Sequence, residues 1–102
     1  MEFEWDDRKA AENLKKHGVA FEDAAAVFDD EHAFTDVAKT VDEEQRFKTT
    51  GYADEYALLT VIHTHRGDGD DLVVRIISAR AASRRERREY GNHPPRTQST
   101  DP

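Results

Sequence analysis

With 102 residues, 36% of them hydrophobic, and no cysteine, the chain is sized for one modest core held by packing alone, without disulfides or thiolate metal ligands. Its formal net charge of -7 is unevenly spread: residues 1–71 carry 8 Lys and Arg against 19 Asp and Glu, whereas residues 72–102 carry 7 against 3. Such an acidic body excludes nucleic-acid binding through the net field, so any RNA contact has to use a local basic patch, and no apolar run approaches the roughly 20 residues of a membrane helix.

The opening "MEFEWDDRKA" lacks a basic stretch followed by an apolar one, so no signal peptide is expected and the location implied is cytoplasmic. Phe3–Trp5 alternates like a short strand. Asp6 or Asp7 then offers an N-cap for a helix over "RKAAENLKKHG", with Ala10, Leu14 and His17 on one stripe and Gly18 as its left-handed end. "AFEDAAAVFDD" predicts a second helix with Phe21, Ala24, Ala25 and Phe28 as its apolar face.

From His32 the period falls to two. "HAFTDVA" and "QRFKTTGYA" predict strands separated by the polar turn "KTVDEE", and in the second of them Arg46, Lys48 and Thr50 share one face, with Phe47 and Thr49 on the other. "YALLTVIHTHR" and "LVVRIISAR" are the strongest strands, joined by "GDGDD" into a hairpin. Their apolar runs predict central strands covered on both faces by helices. Ser83 with Glu86 three residues on is a capping box opening a third helix, "SRRERREYG". The expected fold is α+β: a mainly antiparallel sheet of four to five strands with two N-terminal helices and one C-terminal helix, a single domain over residues 1–92, and a flexible polar tail over 93–102.

Six arginines fall between Arg75 and Asn92. Strict alternation along the last strand puts Arg80 on one face with Ile76 and Ser78, and Arg75 on the other with Val73 and Ile77. An arginine leaving a buried strand needs a carboxylate or phosphate for its fork, which makes Arg80 the leading site residue and Arg75 an internal ion-pair partner for a carboxylate. The third helix is polar nearly all round. Arg84, Arg85, Arg87 and Arg88 read either as a solvated face, with Arg85 and Glu89 paired, or as a face meeting phosphate or a partner. Lys16 and His17 suit the negative end of the first helix, and histidine is also a common proton carrier in RNA cleavage. His63 and His65 share a strand face without a third ligand in evident spacing, so no metal and no cofactor are expected.

"FEWDDRKAAENLKKHGVAFEDAAAVF", "DEEQRFKTTGYA" and "RIISARAASRRERREY" together resemble the BrnT family of type II toxin–antitoxin toxins over about nine tenths of the chain. The resemblance implies a RelE-like fold and a metal-independent endoribonuclease that inhibits translation. It also implies neutralisation by a BrnA-like ribbon-helix-helix antitoxin, with operator DNA met only through the toxin–antitoxin complex. Carried over by position, the catalytic candidates are Lys16, His17, Arg46, Arg80 and Tyr90. Apart from the resemblance, the basic residues Lys48, Arg84, Arg85 and Arg88 are the RNA-binding candidates. His63 and His65 stand where that pattern has a tyrosine and an acidic residue. The alternative of a different class is a non-catalytic interaction module acting only as antitoxin partner or co-repressor.

Overall fold

The computed structural model describes residues 1–93; the tail beyond lies outside the described residues, and with it all but the first residue of the segment expected to be flexible. Five strands form one sheet: β1 (Glu2–Glu4), β2 (Phe34–Val41), β3 (Glu44–Tyr52), β4 (Leu58–Arg66) and β5 (Val73–Ala81). Their spatial order is β1-β5-β4-β3-β2, with β1 parallel to β5 and every other pairing antiparallel. Helices α1 (Asp7–His17), α2 (Phe21–Ala26) and α3 (Arg84–Gly91) complete the expected α+β arrangement, with a short 3-10 turn over Val27–Asp29 continuing α2.

One face of the sheet makes the core. Leu59, Val61, Val74, Ile76 and Ala79 pack against Val19, Phe21, Ala24 and Val27, so the apolar face expected of the second helix is used and Val27 joins it. Phe28 lies beside Phe3 and His63 on the same side. The turn between β2 and β3 is tighter than "KTVDEE" suggested. Asp42 and Glu43 alone form it, both with positive φ, as a two-residue hairpin matched to strand twist demands, and the strands run into the flanking polar residues.

Helix α1 departs from its expected apolar stripe. Leu14 is 52% exposed and His17 is exposed, whereas the buried position is Asn13. The reason lies in the sheet edge. Strand β1 pairs with β5 only as far as Arg75, which leaves backbone groups further along β5 to be satisfied. Asn13 fills in for the missing strand: its Nδ2 donates to the Ala79 carbonyl at 2.9 Å and its Oδ1 accepts from the Ala79 N–H at 3.1 Å. A further bond from Nδ2 to the Val19 carbonyl ties down the turn after Gly18. Asp6 and Gly18 cap the helix as expected, the latter at φ 71°.

The strand parity of β5 is also corrected. Ile62 pairs with Ser78 but His63 pairs with Ile76, so Ile77 is an extra residue, a β-bulge that resets the alternation. Val74, Ile76 and Ala79 therefore all face the core. Arg75 and Arg80 share the opposite face, where they stand across from Thr64 and Thr60 of β4. That second face is not covered along its length. Among the described residues its only helix is α3, which meets the sheet through Glu86 and Tyr90 and leaves the half around Thr64 and Arg75 bare.

Candidate functional site

Strand register brings Lys48 of β3, Thr60 of β4 and Arg80 of β5 side by side on the second face, and α3 lowers one carboxylate onto them. Arg80 grips Glu86 with both terminal nitrogens, Nη1 to Oε1 at 2.8 Å and Nη2 to Oε2 at 3.1 Å. Lys48 Nζ lies 3.3 Å from Oε2, and Thr60 Oγ1 donates to Oε1 at 2.8 Å. The capping box is present as expected: the Ser83 N–H donates to Glu86 Oε1, while the Glu86 N–H donates to Ser83 Oγ. Glu86 is 5% exposed. The Arg80 fork, above all, holds its carboxyl far below the usual carboxylate range against the opposing pull of burial, with the Ser83 N–H and Thr60 hydroxyl adding to it.

This cluster explains how a helix that is polar nearly all round is held to the sheet. The helix is docked by a charged residue. Sequence reasoning saw Glu86 only as a helix cap; the signal that it does more is the single acid among Arg84, Arg85, Arg87 and Arg88 on the face turned toward the strands. Those four arginines are exposed, and Arg85 pairs with Glu89 at 3.1 Å as expected of an i,i+4 pair.

Arg46 lies on the Lys48 side of β3, two residues toward the hairpin tip. Its Nε is buried with no hydrogen-bond partner, and it forms no ion pair among the described residues. Arg75 does pair with a carboxylate, Glu4, at 3.3 Å, but the pair is not internal as expected: the bulge turns Arg75 onto the open face, where its side chain stays 43% exposed. Tyr90 stands apart from the cluster. Its hydroxyl donates to Asp30 Oδ2 at 2.6 Å and its ring meets Tyr52 edge-on at 5.2 Å. Burial and the Asp30 carboxylate push the Tyr90 phenol well above the usual tyrosine range. Asp30, which sequence reasoning passed over, also accepts from the Tyr52 and His32 N–H groups. Burial works to raise its pKa, and these three hydrogen bonds together outweigh it and keep the carboxyl below its ordinary value.

Lys16 and His17 are likewise outside the cluster. They line a cavity of about 280 Å³ with Lys9, Glu12, Asn13, Ile77 and Ser78 at the free edge of β5. Ser78 lies two residues before Arg80, so the cavity and the cluster flank the same stretch of strand. His63 and His65 stack on one another at 5.3 Å on the core face, with Phe47 against His65 at 4.3 Å. His63 Nε2 is 2.7 Å from Thr49 Oγ1. A cleft on the β2 side of α3 is lined by Lys48 and Arg85 together with Asp36, Glu86 and Glu89.

An acidic α+β domain with a basic cluster on one open sheet face is of the class of small ribonuclease toxins, and comparison with known proteins agrees. The model of a family described as "Ribonuclease toxin, BrnT, of type II toxin-antitoxin system" matches residues 5–86. The chain belongs to this BrnT family. It is similar to the crystal structure of the Brucella abortus ribonuclease toxin BrnT, with a TM-score of 0.58 and 26% identity, covering 82% of this chain and 99% of that one. No curated protein matches the sequence. Among the described residues no helix is long and apolar enough to cross a membrane.

Proposed function

We propose that the chain is a metal-independent endoribonuclease acting in the cytoplasm, that its cleavage of RNA inhibits translation, and that a BrnA-like ribbon-helix-helix antitoxin neutralises it and carries it to operator DNA. The observation that supports this best is Arg80, locked in place by Glu86 beside Lys48, on an open sheet face that also holds Arg46 with an unpartnered Nε.

Without a metal, the ribose 2′-oxygen attacks the adjacent phosphorus, a base takes its proton, and the 5′-oxygen leaves with a proton from an acid, giving a 2′,3′-cyclic phosphate and a 5′-hydroxyl. Charge accumulates on the phosphate oxygens in the transition state, and fixed guanidinium donors there lower the barrier most. Arg46 and Arg80 take that role, and Lys48 holds a phosphate oxygen. Glu86 is ionised and fully engaged, so it positions Arg80 rather than accepting the 2′-proton. His17 is the proton carrier and Lys16 a phosphate contact, with the strand crossing the β5 edge past Ser78. Arg84, Arg85 and Arg88 meet flanking phosphates from the exposed side of α3. Tyr90, its hydroxyl committed to Asp30, anchors the helix.

Cleavage of RNA by the purified chain in excess EDTA is the test. Arg46→Ala and Arg80→Ala are each expected to lower the rate by about a hundredfold or more. Full activity in both variants rejects these assignments, and activity abolished by chelation rejects metal independence. A second reading draws on the neutralisation of Arg80 and Lys48 by Glu86: a non-catalytic module that only binds antitoxin. Stable antitoxin binding with no RNA cleavage selects it.

A further inference from the structure

The bare half of the second sheet face carries cations that the catalytic assignment above does not use. Arg66 of β4 grips Glu4 of β1 with both terminal nitrogens, at 2.6 and 3.0 Å, and Arg75 of β5 adds a third bond to the same carboxylate at 3.3 Å. Two guanidiniums thus share one carboxylate and leave most of their N–H donors free. Arg66 and Arg75 remain 66% and 43% exposed in their side chains. Beneath them Thr64 is only 3% exposed although no helix lies above it. A hollow of about 60 Å³ is bounded by Glu44, Thr64, Arg66 and Arg75.

The bulge at Ile77 gives this patch its meaning. It turns Arg75 onto the face of Arg80, where strict alternation would have placed the two on opposite sides. Arg75 stands across from Thr64 and Arg80 across from Thr60, so their backbone positions are separated by about 13 Å along β4 at the usual rise per residue. That span exceeds the spacing of neighbouring phosphates in a nucleic-acid strand. Planar arginine forks suit phosphate; here Arg66 and Arg75 share Glu4, and Glu44 bounds the same hollow, within a chain of net charge -7.

We propose that Arg66 and Arg75 form a second phosphate-binding subsite, which holds the backbone of single-stranded RNA beyond the nucleotides at Arg46 and Arg80, and that Glu4 is the carboxylate with which the RNA competes. This rests on the ribonuclease reading above. It makes two variants act in opposite directions, which a clamp that merely fastens β1 to the hairpin does not.

The probe is an RNA oligonucleotide with 2′-O-methyl sugars throughout, which cannot be cleaved, titrated by fluorescence anisotropy against the full chain over a range of salt. The double variant Arg66→Ala with Arg75→Ala is expected to bind at least fivefold more weakly, with the slope of log K on log salt shallower by about 0.7 for each phosphate no longer held. Glu4→Gln is expected to bind severalfold more tightly. If the double variant fails to fold, Arg75→Gln and Glu4→Gln carry the comparison. Unchanged binding in all variants overturns the proposal, as does weaker binding by Glu4→Gln. So does a double variant that keeps RNA but loses the antitoxin, which would make the patch a protein-docking surface. A wild-type chain that binds the oligonucleotide but does not cleave unmodified RNA defeats the catalytic reading and leaves the subsite standing; one that cleaves while the variants bind normally defeats the subsite alone.

Discussion

Arg80 and Glu86 form a two-pronged ion pair, 2.8 and 3.1 Å, between the end of a central strand and the first turn of the last helix. The pair does two things at once. It fixes the guanidinium on the open sheet face, and it docks a helix that has almost no apolar surface of its own.

Removing Glu86 therefore costs more than a surface pair would. Glu86→Ala leaves Arg80 and Lys48 without their carboxylate, the Thr60 hydroxyl and Ser83 N–H without an acceptor, and the capping box broken. Arg80 is 39% exposed, so water recovers part of the loss, and the expected destabilisation is about 2–3 kcal/mol in urea unfolding at pH 7. Folding depresses the Glu86 pKa, so its stabilisation is present in full above the ordinary value of 4.5 and fades as pH falls below it. The gap between wild type and Glu86→Gln should accordingly narrow at pH 3; a gap of the same size at pH 3 and pH 7 counts against the ion pair as its source.

His63 titrates in the opposite sense. Burial, and then the neighbouring His65, push it from 6.5 down to about 4. The unfolded chain thus takes up a proton near pH 6.5 that the folded chain refuses until about pH 4, and stability is lost as pH falls through that window. The loss attributable to this residue is of order 3 kcal/mol at its lower end. Replacement with an uncharged ring, His63→Phe, should flatten the pH dependence of unfolding between 6.5 and 4. An equally steep dependence in the variant would assign the acid sensitivity elsewhere.

Asn13 is the third test. Asn13→Leu keeps the side-chain volume close but strips the Ala79 N–H and two carbonyls of their partners, all in buried surroundings. The expected cost is about 2–4 kcal/mol. Hydrogen exchange at the Ala79 amide should accelerate more than exchange at Val61 in the middle of the sheet; uniform acceleration would mean that Asn13 does not hold the edge locally.

Much of the fold was legible because it is written in short-range patterns. Asp6 and Gly18 bracket α1, Ser83 and Glu86 open α3, and the alternating runs from Phe34 to Ala81 mark four strands. Where the reading went astray, the cause was long-range. Leu14 looked inward because helix periodicity says nothing of a neighbouring strand that ends early, and it is that free edge which makes Asn13 the buried residue. The two-residue turn at Asp42–Glu43 hid inside a polar stretch that looked like a loop. Of the candidate site residues, Arg46, Lys48 and Arg80 do share one sheet face, whereas Lys16, His17 and Tyr90 lie outside the Arg80 cluster.

By itself the sequence determined the elements, their order, the basic C-terminal segment and a resemblance strong enough to name a family, because caps, periodicity and charge are local quantities. Only the tertiary structure decided which charges meet. One extra residue at Ile77 reverses the alternation of β5, so Arg75 and Arg80 share a face, and a carboxylate six positions beyond Arg80 folds back to hold it. A bulge is settled by the competition between strand register and core packing across neighbouring strands, and no pattern within a single strand reports that balance.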